Sequence, residues 1–146
     1  MERASGILMP ISCLPSPYGI GTFGKAAYKF VDFLKSAGQR YWQLLPLNPI
    51  DSAGSPYSSV STFAGNPYYI DPDILIEQGL VTEEFVTSLD WGKDPSKTDY
   101  ARVCAASDKM LREAYAKGKE AYTEEINLFR FQNPWMENYA FYMSLK

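Results

Sequence analysis

The stretch GKAAYKFVDFLKSAGQRYWQLLP, residues 24–46, places a helical pattern directly before a short apolar run. Apolar residues recur in its first part at helical spacing, and Gly38 supplies a helix stop. Residues 40–46 then have the composition of a buried strand, and a similar apolar run at residues 6–10 precedes the stretch. The order strand, helix, strand predicts a parallel βαβ unit. It therefore predicts an α/β protein with a sheet covered on both faces.

Between the first predicted strand and this helix lies SPYGIGTFG, residues 16–24, which contains the pattern G-x-G-x-x-G. A dinucleotide-binding loop needs its first glycine directly after the first strand and an acidic residue at the end of the second strand. Here Gly19 follows Pro10 by nine residues, and the first acidic residue after the second strand is Asp51. No Gly-Lys-Ser/Thr sequence is present, which excludes a P-loop. We therefore interpret the three glycines as residues that let the loop turn tightly and approach the helix start closely.

Composition excludes several classes of function. The 146 residues carry a formal net charge of −3, so there is no electrostatic case for binding nucleic acid or an anionic membrane. The chain has no histidine, which excludes a Ser-His-Asp triad within it and argues against a zinc site. Cys13 and Cys104 lie far apart, and we expect two free, buried thiols in a reducing compartment. With no signal peptide and no run of about 20 apolar residues, we expect a cytoplasmic protein.

The second half of the sequence predicts a long loop followed by helices. Residues 47–71 hold many prolines and glycines among polar and aromatic residues, and a loop of that length is uncommon unless it has a function. Asp71 and Thr82 each have the composition and position of a helix N-cap. From residue 99 onward we expect three further helices. The last predicted helix reaches Lys146 without a C-cap, from which we expect the native protein to continue.

Two acidic pairs invite comparison with the carboxylates of a glycosidase, namely Asp71 with Asp73 and Glu83 with Glu84. Both pairs fall at predicted helix N-termini, where the helix dipole favours negative charge. We therefore interpret them as capping residues. The tryptophans are interpreted as packing residues; they are Trp42, Trp91 and Trp135.

Four separated blocks carry a more specific signal: RASGILMPISCLPSPYGIGTFG, FVDFLKSAGQRYWQLLPLNP, GSPYSSVSTFAGNPYYID and ENYAFYMSLK. In this order they resemble the opening part of the 4-α-glucanotransferases, which are also called amylomaltases or disproportionating enzymes. The resemblance covers almost the whole chain. One departure is Met9, which stands where many members of that family have a histidine.

The resemblance implies a fold and an activity. It implies the first βα units of a (β/α)8 TIM-type barrel, incomplete here, with a long inserted loop and a helical inserted subdomain. Residues 1–50 would form the first βαβ unit, residues 51–98 a loop on the active face with short helices, and residues 99–146 the helical segment of this N-terminal part of the catalytic domain. The implied reaction moves α-1,4-glucan segments between maltooligosaccharides through a retaining glucosyl-enzyme intermediate, without metal or organic cofactor.

The resemblance also implies which residues meet the substrate. Tyr57 matches the family's tyrosine that packs against the glucosyl unit beside the cleavage point, and Ser55 matches a serine close to the sugar. Asn66 and Pro67 match a Gly-Asn-Pro block whose role we expect to be structural. The family's aspartate nucleophile and glutamate acid/base lie downstream of these blocks, so we expect no catalytic residue in this chain and no activity from it alone.

Two alternatives stay open at this stage, as does the oligomeric state. The chain could act as a non-catalytic α-glucan-binding or interaction module. It could also lack a function of its own and oligomerise through exposed sheet edges.

Overall fold

The computed structural model describes residues 3–51, 53–94 and 96–146. A two-stranded parallel sheet joins β1 (Gly6–Leu8) to β2 (Tyr41–Gln43), with the helix α1 (Lys25–Ser36) between them in the chain. The register pairs Ile7 with Trp42. The predicted strand–helix–strand order and the parallel pairing are confirmed, and Gly38 follows α1 with φ +69° as expected of a helix stop.

The two strands are shorter and more exposed than the sequence predicts. Ile7 is 38% exposed, Leu8 is 54% exposed and Tyr41 is 65% exposed. Trp42 packs edge-on against Phe30 of α1, with ring centroids 4.9 Å apart. Burial on both faces of a parallel sheet requires a packing layer on each side. The prediction of fully buried strands was wrong, because the described residues bring α1 to the sheet but leave the other strand side chains in solvent.

The rest of the described chain is helical or irregular. Single 3-10 turns occur at Ile11–Cys13, Pro56–Ser58 and Pro67–Tyr69, and the helices are α2 (Pro72–Glu77), α3 (Glu83–Ser88), α4 (Tyr100–Gly118), α5 (Thr123–Gln132) and α6 (Trp135–Leu145). The predicted caps are confirmed. The Asp71 carboxylate accepts a hydrogen bond from the Ile74 N–H, and the Thr82 hydroxyl oxygen accepts one from the Phe85 N–H.

The acidic pairs are structural, as interpreted from the sequence. Asp71 is buried and accepts a hydrogen bond from the Thr22 hydroxyl in addition to capping α2. Asp73 accepts a hydrogen bond from the Tyr18 hydroxyl. Glu83 and its neighbour lie in the first turn of α3, where the exposed N–H groups favour negative charge.

Two hydrophobic clusters meet along α4. One cluster combines α2, α3 and Trp91 with Met110 and Ala114, and the other combines the loop after β1 with Tyr69 and Val103. The predicted apolar face of α4 is therefore confirmed. Trp91 is buried in the first cluster and donates its indole N–H to a backbone carbonyl at 2.9 Å. Because α4 contributes to both clusters, it fixes the short helices relative to the βαβ unit.

The last two helices stand apart from this core. Neither α5 nor α6 contributes a buried residue, and Phe131 and Leu145 are 85% and 73% exposed. Trp135 at the start of α6 stacks on Phe63, with ring centroids 5.7 Å apart and an interplanar angle of 25°. In the described ranges, none of the helices combines the length and the apolar character needed to cross a membrane.

Close backbone contacts explain the glycines of the loop after β1, residues 9–24, which we call the first loop. Gly19 has φ +69°, and a Cβ there would overlap the carbonyl oxygen of Trp91. A Cβ at Gly24 would overlap the carboxylate of Asp71. That carboxylate therefore lies beside the start of α1, where a nucleotide phosphate would have to bind. The structural interpretation of these glycines is confirmed.

Both thiols are free, but the prediction that they are buried was wrong. Cys13 is exposed, because the turn Ile11–Cys13 buries Ile11 alone of its three residues. Cys104 is partly exposed. It follows the buried Val103 on α4 but lies beside the buried stripe of that helix rather than on it.

Candidate functional site

The loop that follows β2, residues 44–66, lines a groove of about 710 Å³ that is wide open to solvent. We call this segment the Tyr57 loop. Strand β2 ends at Gln43, so the groove begins at the carboxyl end of the strand. The residues that line it are Leu44, Leu45, Pro46, Leu47, Asn48, Tyr57, Thr62, Phe63, Ala64 and Gly65. The structure therefore places Tyr57 at the edge of the sheet toward which both parallel strands point.

Tyr57 is presented to solvent by a short turn. It is the middle residue of the 3-10 turn Pro56–Ser58, and its side chain is 73% exposed. Ser55 caps this turn, since its hydroxyl oxygen accepts a hydrogen bond from the Tyr57 N–H at 3.3 Å. Pro56 stands at the first position of the turn, where its fixed φ suits the backbone. Of the two residues predicted to meet the substrate, Tyr57 lines the groove, whereas Ser55 lies beside it as the cap of the turn and is not among the lining residues.

Asp51 organises the start of this turn, a role that the sequence reasoning missed. One oxygen of its carboxylate accepts hydrogen bonds from the N–H groups of Ala53 and Ser55, each at 2.9 Å. The bond from Ser55 is the largest cause that lowers the pKa of the Asp51 carboxyl below its ordinary value. Partial desolvation opposes this shift, while the Ala53 N–H and the Ser58 hydroxyl add to it. An aspartate followed within four residues by a glycine and a serine is a signal for such a turn.

Asn48 holds the returning part of the same loop. Its side-chain amide donates to the carbonyl oxygens of Ser61 and Ala64 at 3.1 and 3.2 Å. The Asn66 N–H donates to the Leu47 carbonyl oxygen at 2.8 Å and closes the loop against the strand end. The loop therefore has two limbs, one that leaves β2 and one that returns toward it, and hydrogen bonds hold both limbs.

Asn66 has the structural role predicted for it. It is buried, and its side-chain oxygen accepts a hydrogen bond from the Tyr68 N–H at 3.0 Å. This bond caps the turn Pro67–Tyr69. The same turn places Tyr69 in the hydrophobic cluster around the first loop. Asn66 thus fixes the point at which the Tyr57 loop joins the core.

Met9, the departure from the family pattern, belongs to the same core. Its N–H donates to the Gln43 carbonyl oxygen at 3.1 Å, and its own carbonyl oxygen accepts from the Trp42 indole at 2.7 Å. The side chain packs against the cluster that contains Ile11 and Ile20. The residue therefore extends the pairing of β1 and β2 by one step.

The chemistry of the groove suits a neutral ligand with both polar and apolar faces. Its polar side chains are an amide, a phenol and a hydroxyl, from Asn48, Tyr57 and Thr62, and the remaining lining is mostly apolar. An aromatic ring with an exposed face can cover the apolar face of a sugar while hydroxyl and amide groups meet its oxygens. Across the described ranges, no three or more His, Cys, Asp and Glu side chains group closely enough to hold a metal ion.

Comparison with known proteins decides the family. The 4-alpha-glucanotransferase family model matches residues 9–146. The chain belongs to the 4-alpha-glucanotransferase family. It is 46% identical over 147 residues to the 4-alpha-glucanotransferase of Streptococcus pneumoniae, covering 99% of this chain and 29% of that enzyme. It is 42% identical over 151 residues to the Thermus thermophilus enzyme, covering 100% of this chain and 29% of that enzyme.

A solved structure agrees with this assignment. The amylomaltase from Streptococcus agalactiae in complex with acarbose superposes with a TM-score of 0.94 at 38% identity, covering 99% of this chain and 30% of that chain. The resemblance inferred from the four sequence blocks is confirmed. The chain spans about 29% of the length of the curated relatives described above, and the matches identify it as an N-terminal portion of a glucanotransferase.

Proposed function

We propose that the complete protein transfers α-1,4-glucan segments between maltooligosaccharides. The observation that carries the proposal is the position of Tyr57, an exposed ring in a groove at the carboxyl end of β2. Family membership gives the reaction class, and the amylomaltase that this chain resembles was solved in complex with acarbose. The proposal includes a cytoplasmic location and the absence of a resident cofactor.

We propose further that the chain supplies the start of a (β/α)8 barrel. Residues 1–50 form its first βαβ unit, residues 51–98 contribute the loop on the active face, and residues 99–146 form a helical insertion. Active sites of such barrels lie at the carboxyl ends of the strands, which is where the Tyr57 loop begins. The exposed side chains of Ile7, Leu8 and Tyr41 are then covered by strands and helices that the chain itself does not contain.

In this proposal the chain binds and orients the glucan, and groups elsewhere do the covalent chemistry. The ring of Tyr57 packs on a glucosyl unit, while the hydroxyl of Ser55 donates to a sugar oxygen. The Ser55 oxygen already accepts a hydrogen bond from the Tyr57 N–H, so its O–H remains available as a donor. A retaining mechanism needs a nucleophilic carboxylate and an acid/base carboxylate about 5 Å apart. The proposal assigns both to the part of the enzyme outside this chain.

Disproportionation of maltotriose tests this function directly. The complete gene product should convert maltotriose into glucose and longer maltooligosaccharides, and residues 1–146 alone should not. Chromatography of the products on a carbohydrate column measures both. A complete gene product that leaves maltotriose unchanged contradicts the proposed reaction. Turnover by residues 1–146 alone contradicts the assignment of the carboxylates to another part of the enzyme.

A second candidate is a non-catalytic α-glucan-binding or interaction module. It is favoured by one observation: the described side chains that line the groove include aromatic, amide and hydroxyl groups but no carboxylate. Isothermal titration of residues 1–146 with maltose tests for binding by this chain, and the maltotriose assay tests the complete gene product for turnover. Binding by the chain together with no turnover by the complete gene product supports the module, whereas turnover supports the transferase.

A further inference from the structure

We propose that Asn48 and Asp51 are positioning residues, which fix the two limbs of the Tyr57 loop so that the ring meets its ligand in one orientation. The inference rests on the proposed function of the groove. Neither residue carries out chemistry. Each acts through backbone groups of the loop, Asp51 on the limb that leaves β2 and Asn48 on the limb that returns.

The Tyr57 loop needs polar anchors because little of it is buried. Val60 is 46% exposed, Phe63 is 71% exposed and Tyr57 is 73% exposed. Burial of apolar area therefore contributes little to the free energy that holds the tip of the loop in place. The stacking of Phe63 on Trp135 and the close approach of the Tyr100 ring to Gly54 are tertiary contacts of the loop, and side-chain hydrogen bonds to its backbone add to them.

Asp51 defines the first limb through acceptor geometry. Its carboxylate receives the N–H groups of Ala53 and Ser55, and its own backbone N–H donates to the Ser55 carbonyl oxygen at 3.2 Å. Ser55 is thereby held on both sides of its backbone. The hydroxyl of Ser55 caps the turn that contains Tyr57. The Asp51 carboxylate therefore positions the aromatic ring indirectly, through Ser55.

Asn48 defines the second limb through donor geometry. Its amide nitrogen bridges two carbonyl oxygens, of Ser61 and Ala64, that lie on opposite sides of Phe63 in the sequence. Asn48 also lines the groove beside Tyr57. The same side chain therefore limits how far the returning limb can move away from the ring.

The opposite roles of the two residues give a sharp test. Asp51 acts only as an acceptor, so Asp51→Asn keeps an oxygen for both N–H groups. Asn48 acts as a donor, so Asn48→Asp removes the N–H groups and sets a negative charge against two carbonyl oxygens. Amide and carboxylate are therefore exchanged at both positions, and Asp51→Asn should preserve substrate binding whereas Asn48→Asp should weaken it. If only the negative charge of Asp51 mattered, Asp51→Asn would weaken substrate binding as well.

The experiment measures maltotriose disproportionation by the complete gene product and its variants. Losing two hydrogen bonds of the loop should raise KM about 10-fold in Asp51→Ala, with kcat little changed. Asp51→Asn should keep KM within about 3-fold of the original, and Asn48→Asp should raise KM by about 10-fold or more. Matched controls are Asp32→Ala on α1 and Asn127→Asp on α5, which make the same chemical changes at exposed positions away from the groove.

A merely structural role predicts a different result. Loss of folded enzyme lowers kcat at constant KM and lowers the midpoint of thermal unfolding. That pattern in Asp51→Ala and Asn48→Asp would overturn the inference, as would unchanged kinetics in both variants. An Asp51→Asn variant as impaired as Asp51→Ala would also overturn it.

Amide exchange separates this inference from the proposed function. Millisecond hydrogen exchange of peptides that cover residues 48–66 should accelerate in Asp51→Ala and Asn48→Asp but not in Asp51→Asn. If the complete gene product fails to disproportionate maltotriose and exchange accelerates as expected, the proposed reaction fails while the anchoring of the loop stands. If transfer is active and neither exchange nor KM changes in these variants, the positioning inference fails alone.

Discussion

The first loop and the Tyr57 loop follow parallel strands and leave the same edge of the sheet, yet they are held by different physical means. The first loop buries Ile11, Leu14 and Ile20 and is closed by contacts in which glycine backbones touch their neighbours. The Tyr57 loop exposes Tyr57, Val60 and Phe63 and is held by side-chain hydrogen bonds, which Asn48 donates and Asp51 accepts. The first loop is therefore held mainly by packing in the core, whereas the Tyr57 loop leaves the ring of Tyr57 exposed and able to contact a ligand.

The largest expected effect is the loss of stability when Gly19 of the first loop is replaced by alanine. An alanine there must adopt a positive φ and overlaps the carbonyl oxygen of Trp91, so we expect a loss of roughly 2–5 kcal/mol in the free energy of unfolding. Thermal unfolding of the complete gene product measures it. Gly38→Ala, where φ is equally positive but no atom lies within 4 Å, isolates the backbone strain. Gly65→Ala in the Tyr57 loop, in open space without a positive φ, should change stability by less than about 0.5 kcal/mol. Equal losses at Gly19 and Gly65 would contradict the steric account of Gly19.

A somewhat smaller loss is expected at Asp71, which ties the first loop to α2. Asp71→Ala removes the cap of α2 and leaves the buried Thr22 hydroxyl without its acceptor, so we expect a loss of roughly 2–4 kcal/mol. Thr82→Ala removes an N-cap of the same kind at an exposed position, where the loss should be about 1 kcal/mol. Chemical denaturation of both variants compares them. A loss at Asp71 no larger than at Thr82 would show that the buried contact to Thr22 contributes nothing.

The Tyr57 loop should show the reverse pattern, with an effect on transfer and none on folding. Tyr57→Ala removes a stacking contact of roughly 0.5–1.5 kcal/mol, which corresponds to a loss of about 2- to 13-fold in kcat/KM, and more if the phenol hydroxyl also binds. Because the ring is 73% exposed, the midpoint of thermal unfolding should stay unchanged. Initial rates with maltotriose and a melting curve measure the two quantities. Tyr57→Phe keeps the ring and isolates the hydroxyl. Unchanged kinetics in Tyr57→Ala would remove this residue from the site.

The smallest effect concerns the pH dependence of the Tyr57 loop. Hydrogen bonds, first of all from the Ser55 N–H, lower the pKa of Asp51 below its ordinary value of 3.8. A carboxyl group whose folded pKa is lowered stabilises the folded arrangement above its unfolded pKa, and this contribution is lost as the pH falls through the folded value. The loop should therefore keep its order from neutral pH down to the ordinary pKa and loosen only below it. Amide exchange corrected for intrinsic chemistry measures this, with Asp51→Asn as the control that should not respond. Loosening between pH 6 and 5 would contradict the assignment.

Local signals in the sequence predicted the elements well. Asp71 before Pro72 and Thr82 before two glutamates predicted helix starts, and Gly38 predicted the end of α1, because capping and positive φ depend on neighbouring residues alone. The same reasoning could not foresee that Asp71 accepts a hydrogen bond from Thr22. That contact depends on the packing of two segments whose separation in the sequence carries no periodic signal.

Burial and the anchors of the candidate site were harder to predict. An apolar run such as residues 6–10 indicates a strand whose side chains are buried in the folded protein. It does not indicate whether the elements that bury them belong to the same chain. Tyr57 and Ser55 are predicted site residues because of a family motif, whereas Asn48 and Asp51 are single polar residues in a loop without a helical or strand period. Their roles follow from distances to backbone groups, which only the folded loop defines.

A crystal structure of the complete gene product with bound acarbose would show whether Tyr57 contacts the glucan. We expect a sugar ring against the exposed face of Tyr57, with carbon atoms within about 4.5 Å of the phenol ring and the hydroxyl of Ser55 within hydrogen-bond distance of a sugar oxygen. Acarbose bound elsewhere, with the groove beside Tyr57 occupied only by solvent, would contradict it.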